Sequence, residues 1–222
     1  MAFDGSIGVL GGTGPAGSGF ALRYASLGHS VVIGSRDASR AIECVQSLIS
    51  RYPEFEKNLS GGDNAFAAQA DMVMLATPWE GTEDTIVEIS RYLEAKVVIT
   101  MVNALYKQGK SLNSLILPRG SVAQHIVTKL PGSKVVAAFH HAPAKELGNV
   151  DTPLDLDVLV CSDHDDARLE VIALANEIPG ARGIDAGTLA SAQAIESMTA
   201  VLININVKYK TRSSIKLSGI KV

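Results

Sequence analysis

The chain is 222 residues long, with a formal charge of −3, 46% hydrophobic residues and 19% charged ones. That length and balance suit a folded domain with a proper core, and they argue against disorder and against a general nucleic-acid binder. Its two cysteines, Cys44 and Cys161, lack any C-x-x-C or Cys/His spacing, so neither a disulfide framework nor a metal site is expected.

Met1–Ala2–Phe3–Asp4 carries no positive region followed by an apolar one, so a cytoplasmic protein is expected. An apolar run, Ile7 to Leu10, leads into Gly11–Gly12–Thr13–Gly14–Pro15–Ala16–Gly17 and the helix-like Phe20 to Ala25. Gly12, Gly14 and Gly17 stand at G-x-G-x-x-G spacing between strand and helix, the context in which this motif marks dinucleotide binding. A turn without side chains lets backbone amides approach a pyrophosphate, and the helix points its positive dipole end at the charge. Gly12, Thr13, Gly14, Pro15, Ala16 and Gly17 are the candidate phosphate-binding residues, a plain flexible loop being the alternative.

Gly28 stops that helix, and the β-branched Val31–Val32–Ile33 forms a second strand ending at Gly34–Ser35–Arg36. A dinucleotide fold that binds NAD puts an acid here for the ribose hydroxyls; this chain has a hydroxyl and a guanidinium. Arg36 offers a planar fork for a phosphate and Ser35 a donor, while Arg40 lies one helical turn further on. With Thr13 facing them, they favour NADP; Asp37 could instead serve a ribose hydroxyl, and a solvated helix start is the plainer reading.

Ala38 to Tyr52 reads as a helix ended by Pro53, Phe55 to Gly62 as a loop with at most a very short strand, and Asn64 to Ala70 as a small helix. Met72 to Thr77 is a continuous apolar run, hence a buried parallel strand. It stops at Thr77–Pro78–Trp79–Glu80, and loops at the carboxyl ends of such strands line the ligand crevice. Trp79 is therefore either a cleft residue or a packing residue of the helix expected over Gly81 to Leu93. Lys96 to Val102 is the next strand, Ser121 to Lys129 a short helix with His125 on its surface side, and Lys134 to Phe139 a further strand.

That strand delivers His140–His141–Ala142–Pro143–Ala144 to the same sheet edge. A strand over Asp157 to Asp163, a helix over Asp165 to Ile178 and a short strand at Ala181 to Asp185 follow. Leu189 to Val207 reads as a buried helix, too polar at Gln193, Glu196, Asn204 and Asn206 for a membrane span, and Lys208 to Val222 is a basic tail. The expected fold is α/β: a Rossmann-type, doubly wound, mainly parallel sheet with a small C-terminal helical part, residues 1–185 binding NADP and 186–222 packing on them.

Five segments in order, Gly11 to Gly14, Ile33 to Arg36, Thr77 to Glu80, His140 to Ala144 and Asp185–Ala186–Gly187, make the chain resemble the NADPH-dependent reductases of the deazaflavin coenzyme F420, from about Ile7 to about Asn204. The resemblance implies reversible hydride transfer between NADP and F420 in a homodimer. It implies 2′-phosphate contacts at Thr13, Ser35, Arg36 and Arg40, and places His140, Ala142 and Pro143 against the deazaflavin ring. A bulkier branched residue is usual where Ala142 stands, and a hydroxyl residue is frequent in place of His141.

Hydride transfer needs no protein nucleophile, so the protein's part is to hold two rings face to face at roughly 3–3.5 Å and exclude water. His140 is then an electrostatic or positioning group, where the residues alone suggest a strand-end cap. The deazaflavin's anionic tail makes Lys145, or Lys208, Lys210 and Arg212, its candidate partners. Small-molecule substrates, with no nucleic acid or membrane, are the expected partners. The alternatives are reduction of another acceptor, such as a flavin, a metal chelate or an imine, and a non-catalytic NADP sensor.

Overall fold

The computed structural model describes residues 3–220. Its main sheet holds six parallel strands, β1 (Ile7–Leu10), β2 (Val31–Ser35), β3 (Leu59–Asp63), β4 (Met72–Leu75), β5 (Val97–Thr100) and, after a hairpin of β6 (Leu105–Gln108) and β7 (Ser111–Ser114), β8 (Lys134–Ala137). Their order is β3-β2-β1-β4-β5-β8, so the chain runs outward one way from β1 and then returns to run outward the other way from β4. The register sets Val9 opposite Ile33 on one side and Met74 on the other.

Because side chains alternate along a strand, each strand feeds two cores. Val9, Ile33, Met74, Ile99 and Val136 point to one face, against Phe20 and Tyr24 of α1 (Pro15–Ser26), Val45 of α2 (Ala38–Arg51) and, further along the chain, Val171. Leu10, Val73, Leu75, Val98 and Val135 point to the other. They meet Ala67 of α3 (Asn64–Ala67), Ile86 and Ile89 of α4 (Trp79–Ile89), and Ile126 of α5 (Val122–Lys129). Each such side chain taken fully out of water contributes about 1.5–3 kcal/mol, which is why continuous apolar runs settle here as central strands.

After β8 the chain makes a sharp turn into α6 (Ala144–Leu147), then a parallel pair, β9 (Leu156–Val160) and β10 (Ala181–Asp185), joined by α7 (Asp165–Asn176), which carries Val171. A single antiparallel bridge, Ala137 to Cys161, ties this pair to the main sheet. The last helix, α8 (Ala192–Tyr209), lies on the β6–β7 hairpin, where the Asn204 carboxamide accepts from the Leu112 amide and donates to the Leu112 carbonyl at 2.9 and 2.7 Å.

Two elements differ from what the sequence suggests. The hairpin β6–β7 falls in a stretch with no apolar alternation, and it exists because α8 supplies the missing partner. The helix α8 is buried on one face only: Ile195, Glu196, Thr199 and Leu202 are covered, while Met198, Val201 and Ile205 are exposed. Its high apolar content reflects two apolar faces rather than burial all round. The tail after Tyr209 is not free either. The Asp157 amide donates to the Ile215 carbonyl at 2.8 Å, and the Asp157 carboxylate accepts from the Leu217 amide at 2.6 Å.

Candidate active site

The carboxyl ends of β1, β2, β4 and β5 open together into a cleft of about 670 Å³. It lies where the strand order reverses, the place where such sheets bind ligands. The turn after β1 and the start of α1 contribute Thr13, Gly14, Pro15 and Ala16; the end of β2 and the start of α2 contribute Ser35, Arg36 and Arg40; the turn after β4 and the start of α4 contribute Thr77, Pro78 and Trp79.

Gly12 and Gly17, the outer members of the glycine motif, do not line this cleft; they touch each other. A Cβ on Gly17 would lie 2.7 Å from the Gly12 Cα and 2.9 Å from the Gly11 carbonyl oxygen, so only glycine lets α1 sit this close to β1. The Gly12 amide is spent on the Gly34 carbonyl at 3.0 Å and the Gly14 amide on the Gly11 carbonyl at 3.2 Å. Among the described hydrogen bonds, the first helical amides, Ala16 and Gly17, have no acceptor. A helix start leaves donors of this kind for an anion.

Ser35 is buried, and its hydroxyl accepts from the Asp37 amide at 3.3 Å. The Asp37 carboxylate caps α2, accepting from the Ser39 amide at 3.0 Å and the Ser39 hydroxyl at 2.7 Å, bonds that hold its carboxyl below the usual range. Asp37 is thus directed at its own helix, while Arg36 and Arg40 stand exposed and make no ion pair among the described residues.

On the opposite wall the buried Thr77 and Thr82 hydroxyls share a 2.7 Å hydrogen bond, and Thr82 donates to the Pro78 carbonyl at 2.9 Å. Trp79 is both a cleft residue and a packing residue. It opens α4, two residues earlier than Gly81, and meets the His125 ring edge-on at 6.0 Å. His125 is accordingly half-buried, with Glu83 3.2 Å from its Nε2.

His140, Ala142 and Pro143 are brought to the same end of the sheet but stand outside the cleft lining. Phe139 turns the chain there with φ 64°, a left-handed conformation rare for a bulky residue, fixed by the edge contact of its ring with Phe20 at 5.3 Å. Both following histidines are buried, and none of their ring nitrogens has a hydrogen-bond partner among the described residues. Burial, with mutual repulsion in the case of His140, pushes them down to about 3 and about 4, so both rings are neutral at pH 7.

Sequence reasoning missed three polar residues around this turn. Asn103, in the cleft lining, donates to the His140 carbonyl at 3.2 Å and keeps a buried, unpartnered Oδ1. Glu196 reaches from α8 to accept from the Val122 and Ala123 amides at 2.8 and 3.1 Å, 3.9 Å from His140 Nε2; burial pushes its carboxyl up to about 7. Arg23, on α1, donates to five backbone carbonyls between Glu146 and Thr152 and is 1% exposed. None of the three sits in a motif, and Arg23 and Glu196 carry charges that read as surface.

A doubly wound parallel sheet with a glycine turn and, among the described residues, free helix-start amides and two unpaired arginines after β2 defines a dinucleotide-binding protein of the oxidoreductase type. The comparisons narrow this. Residues 6–104 match the family model for the coenzyme F420-dependent NADP oxidoreductases. The chain is 36% identical over 222 residues to the F420-dependent NADP reductase of Methanocaldococcus jannaschii, covering 97% of this chain and 99% of the relative. It is likewise 36% identical to the F420-dependent NADP reductase of Methanothermobacter marburgensis, over 94% of this chain and 95% of that one. A crystal structure from Arthrobacter sp. FB24 has the same fold, with a TM-score of 0.83 at 24% identity over 96% of this chain and 99% of that one. The chain belongs to the family of F420-dependent NADP reductases.

Proposed function

We propose that the protein transfers a hydride between NADP(H) and the deazaflavin coenzyme F420. One observation carries the choice of NADP: Arg36 and Arg40, unpaired among the described residues, line one cleft with Thr13 and Ser35 at the end of β2. Membership of the family supports F420 as the second partner.

In this reading the Ala16 amide, in the cleft lining, and the α1 dipole hold the pyrophosphate. Arg36 and Arg40, with the Thr13 and Ser35 hydroxyls, hold the 2′-phosphate. Thr77, Pro78 and Trp79 form the wall that keeps water from the inner end of the cleft. The nicotinamide and the deazaflavin supply the redox chemistry when bound, so the chain's task is alignment. Ala142 and Pro143 form an apolar seat for the deazaflavin ring. Asn103 fixes the His140 carbonyl beside it, and the neutral His140 ring is a polar neighbour without charge of its own. Residues 1–185 carry both seats, and residues 186–222 brace them through Glu196. We further infer a cytoplasmic homodimer joined through the exposed Met198, Val201 and Ile205, a reading that a monomeric mass in solution would refute. No helix among the described residues is long and apolar enough to cross a membrane.

The test mixes the purified protein with NADPH and F420 and follows loss of the deazaflavin's visible absorbance, with flavin mononucleotide as a parallel acceptor. Oxidation of NADPH by F420 is expected; turnover with flavin alone would overturn the reading.

A further inference from the structure

Asn64 lines the same cleft as Arg36 and Arg40, and it is 3% exposed. Its Oδ1 is buried without a hydrogen-bond partner, and its Nδ2 donates to no acceptor among the described residues. Buried polar groups are normally paired, so a free carboxamide in a cleft wall points to a ligand that pairs it. We propose that Asn64 takes the 3′-hydroxyl of the adenosine ribose, beside the 2′-phosphate. The inference rests on the NADP reading above.

The placement follows from the sheet. Ser35 stands opposite Asp63 in the register of β2 and β3, and Asn64 opens α3 one residue past that pair. The Asp63 carboxylate fixes this turn by accepting from the Phe66 amide at 2.7 Å, and the Asn64 carbonyl accepts from the Ala68 amide at 2.9 Å. The carboxamide then lies over Gly34, where a Cβ would stand 3.2 Å from Oδ1 and 2.7 Å from the Ala67 Cβ. Gly34 directly precedes Ser35, and the 2′ and 3′ positions are neighbouring carbons of one ring. A ribose with its phosphate at Ser35 and Arg36 brings its 3′-hydroxyl to the same end of β2, where the Asn64 carboxamide stands unpaired.

Charge explains why a carboxamide suits this place. A fold that binds NAD holds the ribose hydroxyls with a carboxylate at the end of β2. A 2′-phosphate would repel that carboxylate, so the hydroxyl that remains in NADP needs a neutral partner. Asp37, the nearest acid in sequence, is spent on capping α2 through Ser39. A hydroxyl both donates and accepts, so it pairs with the Asn64 carboxamide whichever way the amide is turned. A phosphate oxygen would suit only Nδ2, and the adenine amine only Oδ1.

The experiment measures, by titration calorimetry, the binding of NADP, its 3′-deoxy analogue and its hypoxanthine analogue to the wild-type protein and to Asn64→Leu. The wild type is expected to hold NADP about tenfold more tightly than the 3′-deoxy analogue, the usual worth of one such hydrogen bond. Asn64→Leu is expected to bind NADP and the hypoxanthine analogue about tenfold more weakly, and the 3′-deoxy analogue within about twofold of the wild type. Its urea midpoint is expected not to fall, because the side chain gives up no hydrogen bond within the protein. Asn64→Asp, which sets a carboxylate beside the 2′-phosphate, is expected to lose NADP by more than about tenfold while keeping NAD, and it carries the test if the leucine variant does not fold. Equal wild-type affinities for NADP and the 3′-deoxy analogue, or equal losses for both in Asn64→Leu, would overturn the assignment. A loss that vanishes with the hypoxanthine analogue would overturn it too, giving Asn64 to the base. Each of these leaves the NADP reading standing; a wild-type protein that holds NAD as tightly as NADP would overturn that reading by itself.

Discussion

Replacing Arg23 by Met tests how the turn behind the active site is held. The guanidinium donates to the carbonyls of Leu147 at 3.1 Å, Thr152 at 3.2 Å, Glu146 at 2.8 Å and Asn149 at 2.5 Å, with a longer contact to Val150 at 3.5 Å. Burial lowers its pKa, yet as an arginine it stays charged at neutral pH, and one side chain thereby ties together a whole turn of backbone, in which the Glu146 and Asn149 carbonyls also accept from the Asn149 and Thr152 amides. Methionine keeps the apolar stem and removes every donor. The bond to Leu147 is buried, so that carbonyl is left dry; the others lie part-buried, where water replaces some of the loss. Losing a buried, multiply bonded charge of this kind costs about 3–5 kcal/mol. Urea unfolding at pH 7 measures it directly. A loss below about 1 kcal/mol would refute the argument, because the Leu147, Val150 and Thr152 carbonyls would then have equally good partners without Arg23.

Three other outcomes follow from the same geometry. Arg36→Ala is expected to weaken NADPH binding by about 1.5–3 kcal/mol and to leave NADH nearly unchanged, since only the 2′-phosphate loses a charged partner; equal losses by titration would show that the clamp is elsewhere. Gly17→Val places a side chain 2.7 Å from Gly12, and is expected to destabilise the fold by about 1–3 kcal/mol and to weaken both NADPH and NADH, because the glycine turn itself moves. On acidification from pH 7 to pH 5 the unfolded histidines, near 6.5, take up protons while buried His140 and His141, at about 3 and about 4, do not, so each lowers stability by about 2 kcal/mol. Glu196, raised to about 7, works the other way: its folded carboxyl gains a proton near neutrality, before the unfolded one does. The net loss expected is about 2 kcal/mol, growing to about 4 in Glu196→Gln, as read from urea midpoints at the two pH values; a flat wild-type profile would contradict the neutral histidine pair.

The central strands were legible because burial on both faces demands unbroken apolar runs, and Ile7 to Leu10 and Met72 to Leu75 supply them. The cleft was legible for a related reason: Gly14, Ser35, Arg36 and Trp79 lie at or just past the carboxyl ends of β1, β2 and β4, where the fold puts ligands. The edge strand β3 was only half visible, because Leu59–Ser60–Gly61–Gly62–Asp63 holds two glycines whose absent side chains make room for α2 and α3. Invisible in the sequence were residues defined by distant partners. Arg23 finds its carbonyls some 125 positions later, and Glu196 caps a helix that begins more than seventy positions earlier. His140 was placed at the right sheet edge, but its complete burial depends on α8 and on the left-handed turn at Phe139, neither of which has a local signature.

The pairing of Asp157 with the tail bears on the order in which the molecule can be made. Its carboxylate is 0% exposed, gripped by Arg182 at 2.6 and 2.7 Å and by the Leu217 amide at 2.6 Å, sixty residues further along. Without that amide, one Asp157 carboxylate oxygen of the β9–β10 pair has only Arg182 as its side-chain partner. A nascent chain that has reached only Tyr209 has every strand and helix in hand, yet it lacks the strap that seals them. Sealing this pair therefore needs a contact between positions sixty residues apart, and a chain ending at Tyr209 is expected to expose Asp157 and to unfold at lower urea than the full chain.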